Sequence, residues 1–262
     1  MTPGGLLLLA VIGFLVGIVG ALAGVGGGVI LAPLVAIYYG LPMHQAIGVS
    51  LVSVIATSTA TSAVYVEQHV TDIRLGMTLE MATTVGALIA ALIAHHIDRR
   101  TLAVMFAIFL TYSAGSMVNK AWQSRKREKD EPVTDYTVRN YPVGLLASLV
   151  AGGFSGLLGI GGGPLKVPVM YLFMKVPLRV CTATSNFMIG VTAATSAVVY
   201  WARGDVNLTV AAPLVAGVFG GSLLAARVKH RVHTFYILVL LIGVTGWFAV
   251  QMFYKLATGG FR

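Results

Sequence analysis

The chain has 262 residues, 57% of them hydrophobic and 10% charged, with a mean hydropathy of +0.86, whereas an ordinary soluble domain carries about 25% charged residues. No Asp, Glu, Lys or Arg occurs from Met1 to Val66, chain enough for three passes of roughly 20 residues, so a water-soluble globule is excluded. The excess of 18 basic over 9 acidic groups does not indicate nucleic acid, because the basic residues cluster at the ends of apolar runs, where they act as topology signals and lipid contacts.

In chain order, apolar runs lie near Leu6 to Ala23, Val29 to Tyr39, Ala46 to Val66, Leu75 to Ala94 and Leu102 to Val118. The character then changes. Lys120 to Tyr141 brings Lys120, Arg125, Lys126, Arg127, Lys129 and Arg139 together with Glu128, Asp130, Glu131, Asp135 and Pro132, which predicts a solvated linker. Five further runs follow near Val143 to Leu158, Leu165 to Met174, Thr182 to Trp201, Leu208 to Ala226 and Phe235 to Phe253. The runs are continuously apolar and not alternating, which predicts helices over barrel strands, the two structures that satisfy backbone polar groups in lipid. The expected fold class is all-α: a polytopic helical membrane protein with a first transmembrane repeat over residues 1–119, a cytoplasmic linker over 120–141 and a second, inverted repeat over 142–262.

Cys181 stands alone, without a CxxC or Cys/His spacing, so neither a disulfide nor a thiolate metal site is expected. The first apolar run lacks a basic leader and a small-residue cleavage site and reads as a retained span. With the linker inside and an odd number of crossings per half, the inner loops carry Arg74, the six linker cations, Lys175, Arg179, Arg227, Lys229 and Arg231. The outer loops and termini carry Arg99, Arg100, Arg203, Lys255 and Arg262. This asymmetry predicts that both termini face out.

The two halves match at a constant offset of 135 residues, which places Gly24-Val25-Gly26-Gly27-Gly28 on Gly159-Ile160-Gly161-Gly162-Gly163 and Pro33 on Pro168. Ser50 falls on Ser185, Thr57 on Thr192, Tyr65 on Tyr200 and Gly86 on Gly221. Duplication with an odd number of crossings predicts inverted topology, as in many secondary transporters. Each interior glycine costs a helix about 1 kcal/mol relative to alanine, so four in five positions followed by a proline predict a helix that stops and restarts as a broken or re-entrant hairpin. Such breaks survive at membrane depth only when buried in protein or lining a cavity, and the restarted helix offers an anion its N-terminus. Gly13/Gly17, Gly20/Gly24 and Gly152/Gly156 have the spacing of close helix packing.

The paired Gly-Val-Gly-Gly-Gly…Pro and Gly-Ile-Gly-Gly-Gly…Pro segments are each followed about twenty residues on by a small polar run, Val49-Ser50-Leu51 and Thr184-Ser185-Asn186. They resemble the TauE/SafE family of sulfite and sulfonate permeases over nearly the whole chain. The resemblance implies a membrane carrier for sulfite, sulfoacetate or related small sulfur-containing anions, commonly an exporter, with the duplicated motifs as the substrate region.

Among individual residues, Lys166 follows the second glycine cluster, where the first repeat has Leu31. A charged lysine near a bilayer centre costs about 2.5–3.5 kcal/mol on insertion scales. No acidic partner is evident in its own or the next span, so it reads as an ammonium counter-ion for an oxyanion, with a snorkelling lysine as the alternative. Ser50, Thr182, Ser185 and Asn186 offer neutral donors that could replace hydration water, or equally cap helices. Gly26, Gly27, Gly28, Gly161, Gly162 and Gly163 complete the candidate substrate site. Glu80 lies six residues beyond Arg74, about 9 Å along a helix, which makes proton coupling thinkable beside an interfacial ion pair. His95 and His96 do not share a helical face, and no metal site is expected.

The reading is a secondary transporter of a small sulfur-containing anion in the cell membrane, expected to be the bacterial inner membrane, with no cofactor. Its partners are the anionic solute and the lipid bilayer; a homodimer is open, and nucleic acid is not expected. An inside-negative potential of 100 mV drives each exported negative charge by about 2.3 kcal/mol, and with no well-supported intramembrane acid this favours export. Alternatives are an anion channel, a proton-coupled uptake permease for another small carboxylate or inorganic anion, and an intramembrane enzyme, for which no nucleophile–base or metal set is evident.

Overall fold

The computed structural model describes residues 3–127, 136–228 and 234–258. Residues 128–135 of the charged linker and the basic residues Lys229, Arg231 and Arg262 lie outside them. The described residues form ten helices: α1 (Pro3–Ala23), α2 (Gly28–Tyr38), α3 (Met43–Glu67), α4 (Ile73–Ala94), α5 (Arg99–Arg127), α6 (Tyr141–Leu158), α7 (Gly163–Leu172), α8 (Leu178–Ala202), α9 (Leu208–Val228) and α10 (Thr234–Ala257). Among them, seven are long and apolar enough to cross a membrane. The short α2 and α7 are the restarted halves of the two broken helices. Helix α8 matches α3 in length and carries Arg179 and Asn186 besides its hydroxyl side chains. Helix α5 runs past its apolar stretch through Lys120 to Arg127, because Lys, Arg, Gln and Ala favour helix where the expected loop would have begun.

The repeat is written in the backbone as well as the sequence. Left-handed φ values occur at Gly24, Gly26, Gly27, Gly40 and His69, and again at Gly159, Gly161, Gly162, Lys175 and Gly204, each pair 135 positions apart. At Lys175 and His69 the turn geometry persists without glycine, despite the steric cost to a side chain. Helix starts repeat too: the Asp72 carboxylate accepts from the Leu75 amide at 2.9 Å, and the Asn207 amide oxygen from the Val210 amide at 3.4 Å.

Equivalent packing follows. Helix α1 lies parallel to α9, and α6 parallel to α4: Gly13 and Gly17 abut the backbone at Leu214 and Val218, and Gly152 and Gly156 the backbone at Thr83 and Ala87. Side chains at those glycines would strike main-chain atoms, so these positions serve close helix approach. The equivalent helices α3 and α8 pack against each other antiparallel, with Gly48 near Asp205, the Ser58 hydroxyl donating to the Asn186 carbonyl at 2.5 Å, and Val64 clustered with Ala183. These two helices form the centre. Leu7, Leu15, Met81, Ile89, Leu146, Trp247 and Val250 are exposed on the surrounding helices and make an apolar outer belt suited to lipid chains.

Candidate functional site

A seam of polar side chains runs through the interior of this apolar molecule. Along α3 run Ser50, Thr57 and Thr61, and along α8 Ser185, Thr192 and Ser196, all fully buried. Their spacing of seven and four residues sets each series on one helical face. Between them lie Val54 and Ile189, themselves 135 positions apart and near the middle of their 25-residue helices. Both glycine breaks converge there: side chains built at Gly26 and Gly161 would each meet both Val54 and Ile189.

The breaks also touch each other. A Cβ at Gly28 would lie 2.6 Å from the Gly159 carbonyl oxygen, and one at Gly163 would lie 2.7 Å from that of Gly24. Neither restarted helix has a side-chain cap, so the first amides of α2 and α7 present the partial positive charge of a helix start at mid-depth. The expectation that interrupted spans meet in the protein interior is met by this geometry.

The two breaks are not equally satisfied. In the first half, the Ser50 hydroxyl is within reach of the Gly159 carbonyl at 2.8 Å and that of Gly28 at 3.2 Å, and it pins the loops together. Its counterpart Ser185 is buried beside Gly163, with its oxygen 3.4 Å from where a Cβ there would sit, yet it makes no hydrogen bond within the chain. The Asn186 side-chain oxygen is likewise unpartnered, although its amide nitrogen donates to the Ala21 carbonyl at 3.3 Å. Ser155, one turn before the second break, has another unpartnered hydroxyl. Buried polar groups almost always find partners, and the unpartnered Ser185 and Ser155 hydroxyls both lie beside the second break, whereas Ser50 at the first is satisfied. Thr182 differs: its methyl packs on Gly24, and its hydroxyl is taken by the Leu178 carbonyl of its own helix at 2.9 Å.

Lys166 lies on the first turn of α7, its amide bonded to the Gly162 carbonyl at 3.1 Å and its stem running back past Gly162. The sequence offered it no partner; the structure supplies Glu80. Lys166 Nζ is 3.1 Å from Glu80 Oε2, and both side chains are shut away from the surface, 0% and 4% exposed. Nζ also donates to the Thr192 hydroxyl at 3.0 Å, and that hydroxyl in turn donates to Glu80 Oε1. Thr84 completes the set at 3.4 Å from Oε1. Two of the three ammonium hydrogens are thus used within the chain. Glu80 is consequently neither an interfacial pair nor a cap but a buried intramembrane acid, and an argument for export from the lack of such an acid no longer holds. The missing signal was tertiary: α4 and α7 are 86 residues apart at this contact, and only the packing of both against α8 brings the charges together.

His95 and His96 stack edge to face at the end of α4, away from this centre. Arg203 donates to the Ala91 and Leu92 carbonyls at 2.8 and 3.1 Å, closing the C-terminus of α4 with a cation, as the helix dipole favours.

An apolar-belted bundle with discontinuous helices meeting at a polar centre defines a polytopic membrane protein, with an architecture of the kind found in many transporters. The family model described as sulfite exporter TauE/SafE matches residues 9–252, and the chain belongs to that family. It is similar to the probable membrane transporter protein YunE of Bacillus subtilis, 29% identical over 265 residues covering 95% of this chain and 97% of the relative. It is also similar to a probable membrane transporter protein of Methanocaldococcus jannaschii, 25% identical over 91% of this chain and 92% of that one. A probable membrane transporter protein of Xylella fastidiosa is 27% identical over 84% and 85%. No solved structure matches the chain significantly. The protein is a multi-pass membrane transporter and not an enzyme.

Proposed function

We propose that the protein exports a small sulfur oxyanion, sulfite or a short organosulfonate, across a bacterial inner membrane, binding it at the start of α7. The observation that carries this reading is the difference between the two breaks. Where the first half has a satisfied Ser50 and the hydrocarbon of Leu31, the second has the unpartnered Ser185 and the ammonium of Lys166. The α7 amides, Ser185 and Asn186 would replace hydration around the oxyanion, and Lys166 would supply the counter-charge. Neutral donors in the majority allow release on the far side. The glycines at 26–28 and 161–163 serve the site indirectly, by letting the two loops cross at contact distance.

The antiparallel α3 and α8 support a second repeat inverted with respect to the first, and the charge distribution supports an inner linker and outer termini. Labelling of single cysteines placed at residues 70 and 258, in a Cys181→Ser background, distinguishes the two faces; modification of residue 258 from the cytoplasmic side contradicts this topology. For function, the purified protein is placed in lipid vesicles loaded with unlabelled sulfite, and entry of labelled sulfite is followed. Saturable counterflow is expected, and flux without saturation or counterflow would indicate a channel. Direction is read with sulfoacetate, a dianion at neutral pH: an inside-negative potential should speed its exit, by about 2.3 kcal/mol per net charge per 100 mV.

A further inference from the structure

The buried ion pair has no counterpart at the other break. The positions equivalent to Lys166 and Glu80 are Leu31 on α2 and Val215 on α9, part of the apolar core and its surround, and the hydroxyl of the equivalent Thr57 bonds only the Ser53 carbonyl of its own helix. The surroundings of the second break therefore carry two charges, one from each half of the chain, where those of the first carry hydrocarbon. A buried pair is weak evidence for stability, and ionisable groups at membrane depth mark solute or proton pathways.

An oxyanion docking at the start of α7 meets an ammonium already neutralised by a carboxylate. Two anions sharing one ammonium in a low-dielectric interior repel each other strongly. Loss of a proton from Lys166 would not help, since a neutral amine has no attraction for the solute. Resting on the anion-transport reading above, we propose that Glu80 and Lys166 form a proton-coupled counter-ion switch that carries one proton with each anion. As the solute takes the place of Glu80 at Lys166 Nζ, Glu80 takes one proton from water onto Oε2. When the solute leaves, that proton passes to water on the opposite side and the carboxylate re-forms its bond to the ammonium. Thr192 is placed to serve both states, because its oxygen accepts from Lys166 while its hydrogen can turn from Glu80 to the Met188 carbonyl, 3.3 Å away.

Among the described residues no other ionisable group stands at the level of the pair. On the helices packed around the pair these are Arg74 on α4, Tyr141 on α6, Tyr171 on α7, and Arg179, Cys181 and Tyr200 on α8. Each stands more than a turn along its helix from the level of the pair, and Tyr112 on α5 faces outward.

The test is equilibrium binding of sulfoacetate, whose charge is constant near neutrality, to the purified full chain from about pH 5 to 8, with proton uptake recorded in weak buffer. Wild-type affinity should weaken by up to about tenfold per pH unit, with one proton taken up per anion bound. Glu80→Gln should flatten the slope and abolish the uptake. The paired exchange Glu80→Val with Lys166→Leu copies the surroundings of the first break and, folded, should bind no anion. A flat wild-type profile without proton uptake overturns the switch and leaves anion transport standing, as does a Glu80→Gln protein that keeps the slope. If sulfoacetate, sulfite and sulfate all fail to bind saturably at every pH, the transport reading falls and the switch with it.

Discussion

Exchanging Lys166 for Leu and Glu80 for Val, singly and together, separates what the pair does for the fold from what it does for transport. The two charges sit 3.1 Å apart with side chains 0% and 4% exposed. Lys166→Leu alone strands a buried carboxylate with only the Thr84 and Thr192 hydroxyls for company, and Glu80→Val alone strands an ammonium. Each single change should cost about 3–5 kcal/mol. If the two acted independently, the double variant would lose about 6–10 kcal/mol, comparable with the whole stability of a typical domain. Because the surroundings of the first break accommodate Leu31 and Val215 at the equivalent positions, the double variant should instead fall between neutral and about 1–4 kcal/mol more stable than wild type. Unfolding midpoints of the four proteins in a common detergent, closed as a double-mutant cycle, give the coupling directly. A double variant as unstable as the sum of its parents would refute the view that these charges are foreign to the frame. A stable Lys166→Leu single variant would show that Glu80 is not held as described.

Ser50 and Ser185 should behave oppositely: Ser50→Ala strands the Gly159 carbonyl and should cost about 1–3 kcal/mol of stability, while Ser185→Ala breaks no hydrogen bond within the chain. The Ser185 variant should match wild type in thermal midpoint and bind sulfite less tightly, and the reverse pattern would misplace the site. Gly163→Ala puts a methyl 2.7 Å from the Gly24 carbonyl and should abolish counterflow, whereas Gly153→Ala on the same half, with nothing near its added carbon, should leave counterflow intact. Asp98, at the start of α5 and fully exposed, has its carboxyl held below its ordinary value by the Thr101 hydroxyl and amide. Its small contribution is present above the unfolded value and lost as pH falls through the lower folded one, so the midpoint gap between wild type and Asp98→Ala should close on acidification and stay open at neutral pH.

What the sequence made legible was local or periodic. Uninterrupted apolar runs announced spans because a bilayer leaves so little choice of structure, and the glycine clusters announced breaks because four left-handed-tolerant residues in five cannot continue a helix. The offset of 135 was readable because both copies need glycine where the loops cross, at Gly28 against Gly159 and Gly163 against Gly24. The Glu80–Lys166 pair was not readable, since nothing within either span specifies which helix will face it. The roles of the hydroxyls were equally hidden: Ser50, Thr182 and Ser185 look alike in sequence, yet one ties two loops, one bonds its own helix, and one bonds nothing. Which applies depends on the approach of a neighbouring carbonyl to within a few tenths of an ångström.

Duplication by itself gives no reason for a solute to prefer one break over the other, so the preference must come from residues where the copies diverge. The stripe on α3 and that on α8 are nearly the same, Ser50-Val54-Thr57-Thr61 against Ser185-Ile189-Thr192-Ser196. Divergence enters from the flanking helices, with α7 contributing Lys166 and α4 contributing Glu80 against Leu31 of α2 and Val215 of α9. Since Ser50 holds the first loop to the second through the Gly159 carbonyl, a shift of α7 around a solute displaces the first break as well. On the proposed reading an asymmetric charge in a mechanically shared centre suffices, since one site would bind the solute and both halves would respond.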